Sequence, residues 1–110
     1  MKVIGINDMK SPDGQVATFH GFEQGANISF FIVLFSPGKG PKKHRHPYEE
    51  TFIILDGEIE AIVDGETERI GKDTIAVIPA NTWHEFKNCA DKPVHMVNIH
   101  PAPRMITEWA

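Results

Sequence analysis

Residues 38–57 read GKGPKKHRHPYEETFIILDG, and the spacing of the polar residues inside this stretch decides how the chain is to be read. His44 and His46 are separated by one residue. That spacing puts two side chains on one face only in an extended strand, where residues i and i+2 lie about 7 Å apart on the same side. On a helix they would diverge. Glu50 keeps the same parity, so in continuous extended chain it faces the way the histidines face, whereas Glu49 falls on the other face and is read as solvated. Imidazole nitrogens with one carboxylate suit a divalent Mn, Fe, Co, Ni, Cu or Zn ion, while Ca would want more oxygens. A fourth ligand must come from elsewhere. His84 is the best candidate, because it opens a later strand directly after Pro79-Ala80-Asn81 and precedes the apolar Phe86.

Outward from this stretch, short β-rich runs alternate with turn residues at near-regular spacing, the signature of a sandwich or barrel. Residues 28–35 (ISFFIVLF) form a strand apolar on both faces, followed by the Gly- and Pro-rich turn SPGKGP. Residues 48–55 form the next strand, closed by Asp56-Gly57. Residues 58–63 alternate polar with apolar as a strand with one wet face does. They end at Asp64-Gly65, a hairpin turn that calls for positive φ at both central positions. Further strands are expected over 67–70, 74–78, 84–88 and 94–99, and no ten-residue stretch has helical periodicity. Residues 1–27 read as an extension, a loop over 7–15 and an added strand over 16–20. Residues 101–110 read as a tail held extended by Pro101 and Pro103, along the outside of the barrel or against a partner.

The 110 residues fit one domain. With 41% hydrophobic and 24% charged residues, the composition is that of an ordinary globular chain. No apolar run approaches the about 20 residues of a membrane-spanning helix, so no membrane partner is expected. The start, MKVIGINDMK, does not read as a signal peptide, which leaves a cytoplasmic address as the expectation. The net charge of -4 argues against nucleic acid as a partner, and the run Lys42-Lys43-His44-Arg45-His46 is too short to reverse it. Cys89 is the only cysteine, so a disulfide or a paired-thiolate zinc site is excluded, and without a basic neighbour it is read as inert.

The sequence resembles the cupins in both of their motifs. The first is glycine, five residues, His-x-His, three or four residues, Glu, six residues, glycine; Gly38, His44, His46, Glu50 and Gly57 stand at those intervals. The second is glycine, a short strand, Pro-x-Gly, two residues, His, three residues, Asn. Gly71, Pro79, His84 and Asn88 follow it, with a longer gap from Gly71 to Pro79 and with Asn81 in place of the glycine. Asn is the non-glycine residue most at ease in the left-handed region. The resemblance covers residues 28 to about 100. It implies an all-β fold, a double-stranded β-helix or jelly-roll barrel, with one divalent metal ion per chain held by His44, His46, Glu50 and His84. It also implies a homodimer pairing or exchanging edge strands, for which Trp109 and Ile106 would serve as contacts.

Tyr48, Phe52 and Ile54 share the inward parity, and with Phe86 and Asn98 they are candidates to wall a pocket, although ordinary core packing suits Phe52 and Ile54 better. Asn98 and His100 could reach the barrel mouth, yet a structural role fits a histidine before proline. His20 and His95 have no evident partner. No general acid or base stands out beyond the ligands; Tyr48 comes nearest to a catalytic helper. Four ligands leave two positions of an octahedral ion open, an arrangement suited to catalysis on a small oxygen-rich substrate that chelates through two oxygens, as in a dioxygenase. The alternatives are a metal-dependent isomerase or decarboxylase and a non-catalytic module binding a small ligand or metal, because fold and motif do not choose the reaction.

Overall fold

The computed structural model describes residues 1–110, and the expected strands assemble into two five-stranded antiparallel sheets facing each other. In chain order the strands are β1 (Val16–Phe19), β2 (Ser29–Phe35), β3 (His44–Arg45), β4 (Glu50–Asp56), β5 (Glu58–Val63), β6 (Glu66–Gly71), β7 (Thr74–Ile78), β8 (His84–Asn88), β9 (Val94–His100) and β10 (Glu108–Trp109). One sheet has the order β1-β2-β9-β4-β7, the other β10-β3-β8-β5-β6. The only helical pieces are a 3-10 turn, Ile6–Met9, and one turn of α-helix, Gly21–Gln24.

Alternation along the strands builds the interior. From the first sheet Val33, Phe52, Ile54 and Met96 point inward, and they meet Ile59, Ala61, Ile70 and Phe86 from the second. Phe52 and Phe86 pack edge to face with ring centroids 5.1 Å apart, an arrangement that adds about 0.5–1.5 kcal/mol to the burial itself. Phe52 and Ile54 are fully buried in this cluster.

The turns carry the conformations their residues favour. Asp64 and Gly65 both have positive φ (51° and 79°), as the tight β5–β6 hairpin requires. Asn81 has φ 58°, filling the left-handed position with the non-glycine residue that tolerates it best. Gly57 turns the chain from one sheet to the other at φ 88°, where a Cβ would lie 2.9 Å from Val94 Cα. Asn88, 1% exposed, donates its amide to the Phe35 and Lys92 carbonyls and accepts from Ala90 N. It closes two loops around a polar group that burial would otherwise leave unpaired.

One expectation is corrected. Residues 44–50 are not one continuous strand: His44 pairs with His84 in the second sheet, while Glu50 pairs with Ile78 in the first, and pairing lapses between Arg45 and Glu50. Pro47, which has no N–H to donate, stands in this crossover. The tail lies against its own barrel, where Glu108 and Trp109 pair with Arg45 and His44.

Candidate metal centre

The crossover brings together what strand parity alone could not. His44 comes from β3, His84 from the start of β8, Glu50 from the start of β4, and His46 from the chain between the sheets. One potential ligand atom from each of these four lies within 4.8 Å of every other, and all four residues are buried. Backbone bonds fix the assembly: Asn81 N donates to the His46 carbonyl at 2.7 Å, tying the first motif to the second.

The outer nitrogen of each histidine is spoken for. His44 Nδ1 donates to Lys42 O at 2.6 Å, His46 Nδ1 to Ile106 O at 2.8 Å and His84 Nδ1 to Thr82 O at 2.8 Å. A carbonyl only accepts, so each Nδ1 carries the proton, and in the neutral ring Nε2 is left as a bare lone pair. These three nitrogens belong to the same cluster as the Glu50 carboxylate, and His84 Nε2 is hydrogen-bonded to Glu50 Oε1 at 3.1 Å, a bond it gives up to ligate an ion. His46 Nε2 is buried without a hydrogen-bond partner: it lies 3.2 Å from Glu50 Oε1 but is not aligned for a bond. An orphaned imidazole nitrogen beside a buried carboxylate is costly in a bare protein and is what a cation between them would satisfy. The residues therefore fit a divalent transition metal ion, with a donor set of three imidazoles and one carboxylate.

Glu50 is 3% exposed. Burial acts to raise its pKa, but imidazoles of His100, His46 and His84 at 3.1–3.2 Å outweigh that and hold the carboxyl well below the usual carboxylate range. The histidines diverge. Burial, reinforced by its neighbours His84 and His46, lowers the pKa of His44 despite its bond to Lys42. For His46, Glu50 and the Ile106 carbonyl more than offset burial and raise it.

His100 is the residue that sequence reasoning undervalued. It is 1% exposed, and its Nε2 lies 3.1 Å from Glu50 Oε2. The Tyr48 hydroxyl accepts from Ile106 N at 3.0 Å and directs its own hydrogen to His100 Nδ1 at 2.6 Å. With the Tyr48 hydroxyl donating to Nδ1, the His100 proton stands on Nε2, which lies beside the carboxylate but, like Nε2 of His46, is not aligned for a hydrogen bond. Its shared parity with Asn98 along β9 was the available signal. The same bonds place the Tyr48 hydroxyl between His100 and Ile106.

Beside the cluster opens a pocket of about 160 Å³. Phe86 and Asn98 line it, whereas Phe52 and Ile54 do not; they lie in the core cluster. Asn98 Oδ1 is buried with no partner. Phe31, Val33 and Phe35 form an apolar wall, and Trp109 and Thr107 close another side. Trp109 had no signal in the sequence as a site residue. It reaches the pocket because β10 pairs with β3, which brings its ring to 5.0 Å from that of His44. Cys89 has its thiol pKa raised by burial and by Glu58, in keeping with an inert role. No helix is long and apolar enough to cross a membrane.

Comparison with known proteins agrees with this arrangement. The cupin domain model matches residues 31–100. The chain is 35% identical over 81 residues to polyketide synthase CurC of Streptomyces cyaneus, a match covering 72% of this chain and 52% of that protein. It is 36% identical over 76 residues to quercetin 2,3-dioxygenase of Bacillus subtilis, covering 66% of this chain and 23% of that one. The chain thus spans about half or less of the length of these relatives. Among solved structures, oxalate decarboxylase of Lactobacillus farciminis in a formate complex superposes with a TM-score of 0.83 at 24% identity, over 96% of this chain and 35% of that chain. The cupin domain of Schizosaccharomyces pombe Cnp3 superposes at 0.69 and 23% identity, over 79% of this chain and 63% of that chain. With a fold of two facing antiparallel sheets, both motifs in place and the family model spanning most of the chain, this protein belongs to the cupin family.

Proposed function

We propose that this cupin binds one divalent transition metal ion per chain through His44, His46, Glu50 and His84, and that it acts on a small oxygen-rich ligand chelating that ion, in the manner of a dioxygenase. One observation carries the reading: three histidines have Nδ1 committed to backbone carbonyls, so that their Nε2 lone pairs gather beside a buried carboxylate. When bound, the ion would supply Lewis acidity or redox chemistry at coordination positions left open by four protein ligands.

The chain's own residues do the rest. His100, held by Tyr48, steadies the Glu50 carboxylate. The apolar walls from Phe31, Val33, Phe35 and Phe86 exclude water and strengthen the electrostatics at the cluster. Asn98 Oδ1, buried and unpaired, can accept a hydrogen bond from a hydroxyl of the bound ligand. The oxygenase class draws support from two similar proteins, the quercetin 2,3-dioxygenase of Bacillus subtilis and the gentisate 1,2-dioxygenase of a Ralstonia species.

Elemental analysis of protein purified without added metal, followed by oxygen-electrode assays of the Fe(II)-, Mn(II)- and Ni(II)-loaded forms with catechols, enediols and diketones, tests the reading. Near-stoichiometric metal with oxygen uptake is expected. Ligands that raise the melting temperature while no metal form turns any of them over would replace the enzyme by a non-catalytic binding module.

A further inference from the structure

Charge is placed unevenly around the pocket. Glu50 is the one acidic residue among those that line it, and no Lys or Arg is among them. The basic run of the first motif turns elsewhere. Lys42 and Lys43 are exposed, and Arg45 is held outside, its guanidinium donating to Glu108 at 2.8 and 3.2 Å with Cζ 4.4 Å from the centre of the Trp83 ring. Inside, much of the wall is aromatic, from Phe31, Phe35, Phe86 and Trp109. A pocket of about 160 Å³ suits a single ring, since an apolar cavity of about 150 Å³ takes up benzene. Apart from the imidazole nitrogens beside Glu50, one buried polar atom here is unclaimed. Asn98 is 4% exposed, and its Oδ1 has no hydrogen-bond partner, an expense a folded protein seldom carries without a use.

We propose that the pocket selects a single ring with two vicinal oxygens and binds it as a monoanion, Asn98 accepting a hydrogen bond from the hydroxyl that stays protonated. Resting on the metal reading above, this selection follows a charge rule. A ligating imidazole is neutral, so a divalent ion held by three histidines and Glu50 leaves one net positive charge at the cluster. A ligand bringing one negative charge makes the site neutral, which suits a pocket that has no cation to spare. A dicarboxylate brings two, and the excess would be buried against phenyl rings with nothing to pair it. An aromatic diol meets the rule by giving one proton to solvent and keeping the other. The kept proton needs an acceptor. With the imidazoles and Glu50 engaged by the ion, Asn98 Oδ1 is the buried acceptor left without a partner.

Isothermal titration calorimetry of the Ni(II)-loaded 110-residue chain, under nitrogen so that nothing is oxygenated, tests this with catechol, tropolone and oxalate. Catechol as a monoanion keeps a hydroxyl, tropolone as a monoanion keeps none, and oxalate is a dianion. Each affinity is taken relative to that of the same compound for aqueous Ni(II) at the same pH. Oxalate is expected to be disfavoured at least about a hundredfold against tropolone. Asn98→Leu, apolar and of similar size, is expected to weaken catechol at least about tenfold and to leave tropolone within about twofold. Without ligand this variant should melt no lower than the wild type, because an unpaired buried polar atom is gone. A purely structural Asn98 would instead lower the melting temperature and weaken both ring compounds together. Should the leucine variant fail to fold, Asn98→Ala is read in the same way, and the wild-type ranking of oxalate against tropolone decides the charge rule by itself. A chain that takes up no Ni(II) overturns the metal reading and this selection with it. Loaded protein that binds oxalate as well as tropolone, or a folded Asn98 variant in which catechol and tropolone change alike, overturns the selection alone.

Discussion

Glu50→Gln keeps the shape of the side chain and removes the only negative charge from the four-residue cluster, so its effect isolates the electrostatic part of metal binding. Glu50 is buried with three imidazole nitrogens at 3.1–3.2 Å, and deleting one partner of a buried charged pair costs about 3–5 kcal/mol. For metal affinity that is a loss of about two to three and a half orders of magnitude, at about 1.4 kcal/mol per factor of ten. A metal at a thousand times its Kd stabilises the wild type by about 4 kcal/mol, which at about 4 °C per kcal/mol for a domain of this size raises the melting temperature by about 16 °C. In Glu50→Gln the same metal concentration would be only about 0.3–10 times Kd, leaving a rise of under about 6 °C. Differential scanning calorimetry of metal-free and metal-loaded forms of both proteins measures each increment directly. An increment in Glu50→Gln equal to that of the wild type would refute the assignment of the carboxylate as a ligand.

In the metal-free protein the depressed Glu50 pKa makes a stabilising contribution present above the ordinary glutamate value of 4.5 and lost as the pH falls below it; urea midpoints across pH 3–6 should show that decline, and it should be smaller in Glu50→Gln. Tyr48→Phe strips Ile106 N and His100 Nδ1 of their partner, so stability should drop by about 1–3 kcal/mol and metal affinity by about tenfold through the loosened His100, read by urea titration and competition with a chelator. Removing residues 106–110 takes away the carbonyl that orients His46; metal affinity should fall about 10–100-fold, whereas an unaltered affinity would mean that the tail merely covers the site. Gly40→Ala would drive a Cβ to 1.8 Å from Phe86 O, a backbone clash that should cost at least about 1–3 kcal/mol in thermal unfolding.

Much of this architecture was legible because local chemistry and global fold agree. Asp64-Gly65 and Asn81 announce left-handed turns and adopt them, and the alternation along residues 58–63 reappears as Ile59 and Ala61 inside with Glu58 and Glu60 outside. Parity placed His44, His46 and Glu50 on one face for a reason that proved incomplete. The chain changes sheets between Arg45 and Glu50, and convergence comes from that crossover. What stayed hidden depends on pairings between distant segments. No local pattern says that Trp109 will lie beside His44, because this follows from β10 joining β3 across more than sixty residues of chain. His100 looked structural because its partners, Tyr48 and Glu50, meet it only once β9 and β4 are neighbours. Residues 28–35 were legible as a strand apolar on both faces, but which face would remain uncovered required the sheet order.

One cation shared by four side chains underlies the proposed chemistry, and an anomalous difference map from crystals grown with Mn(II), Fe(II) or Zn(II) tests for it most directly. A single peak is predicted, about 2.0–2.2 Å from Nε2 of His44, His46 and His84 and from a Glu50 oxygen, with His100 outside the coordination sphere. A map without a peak in that cluster, or with the ion held by other residues, would contradict it.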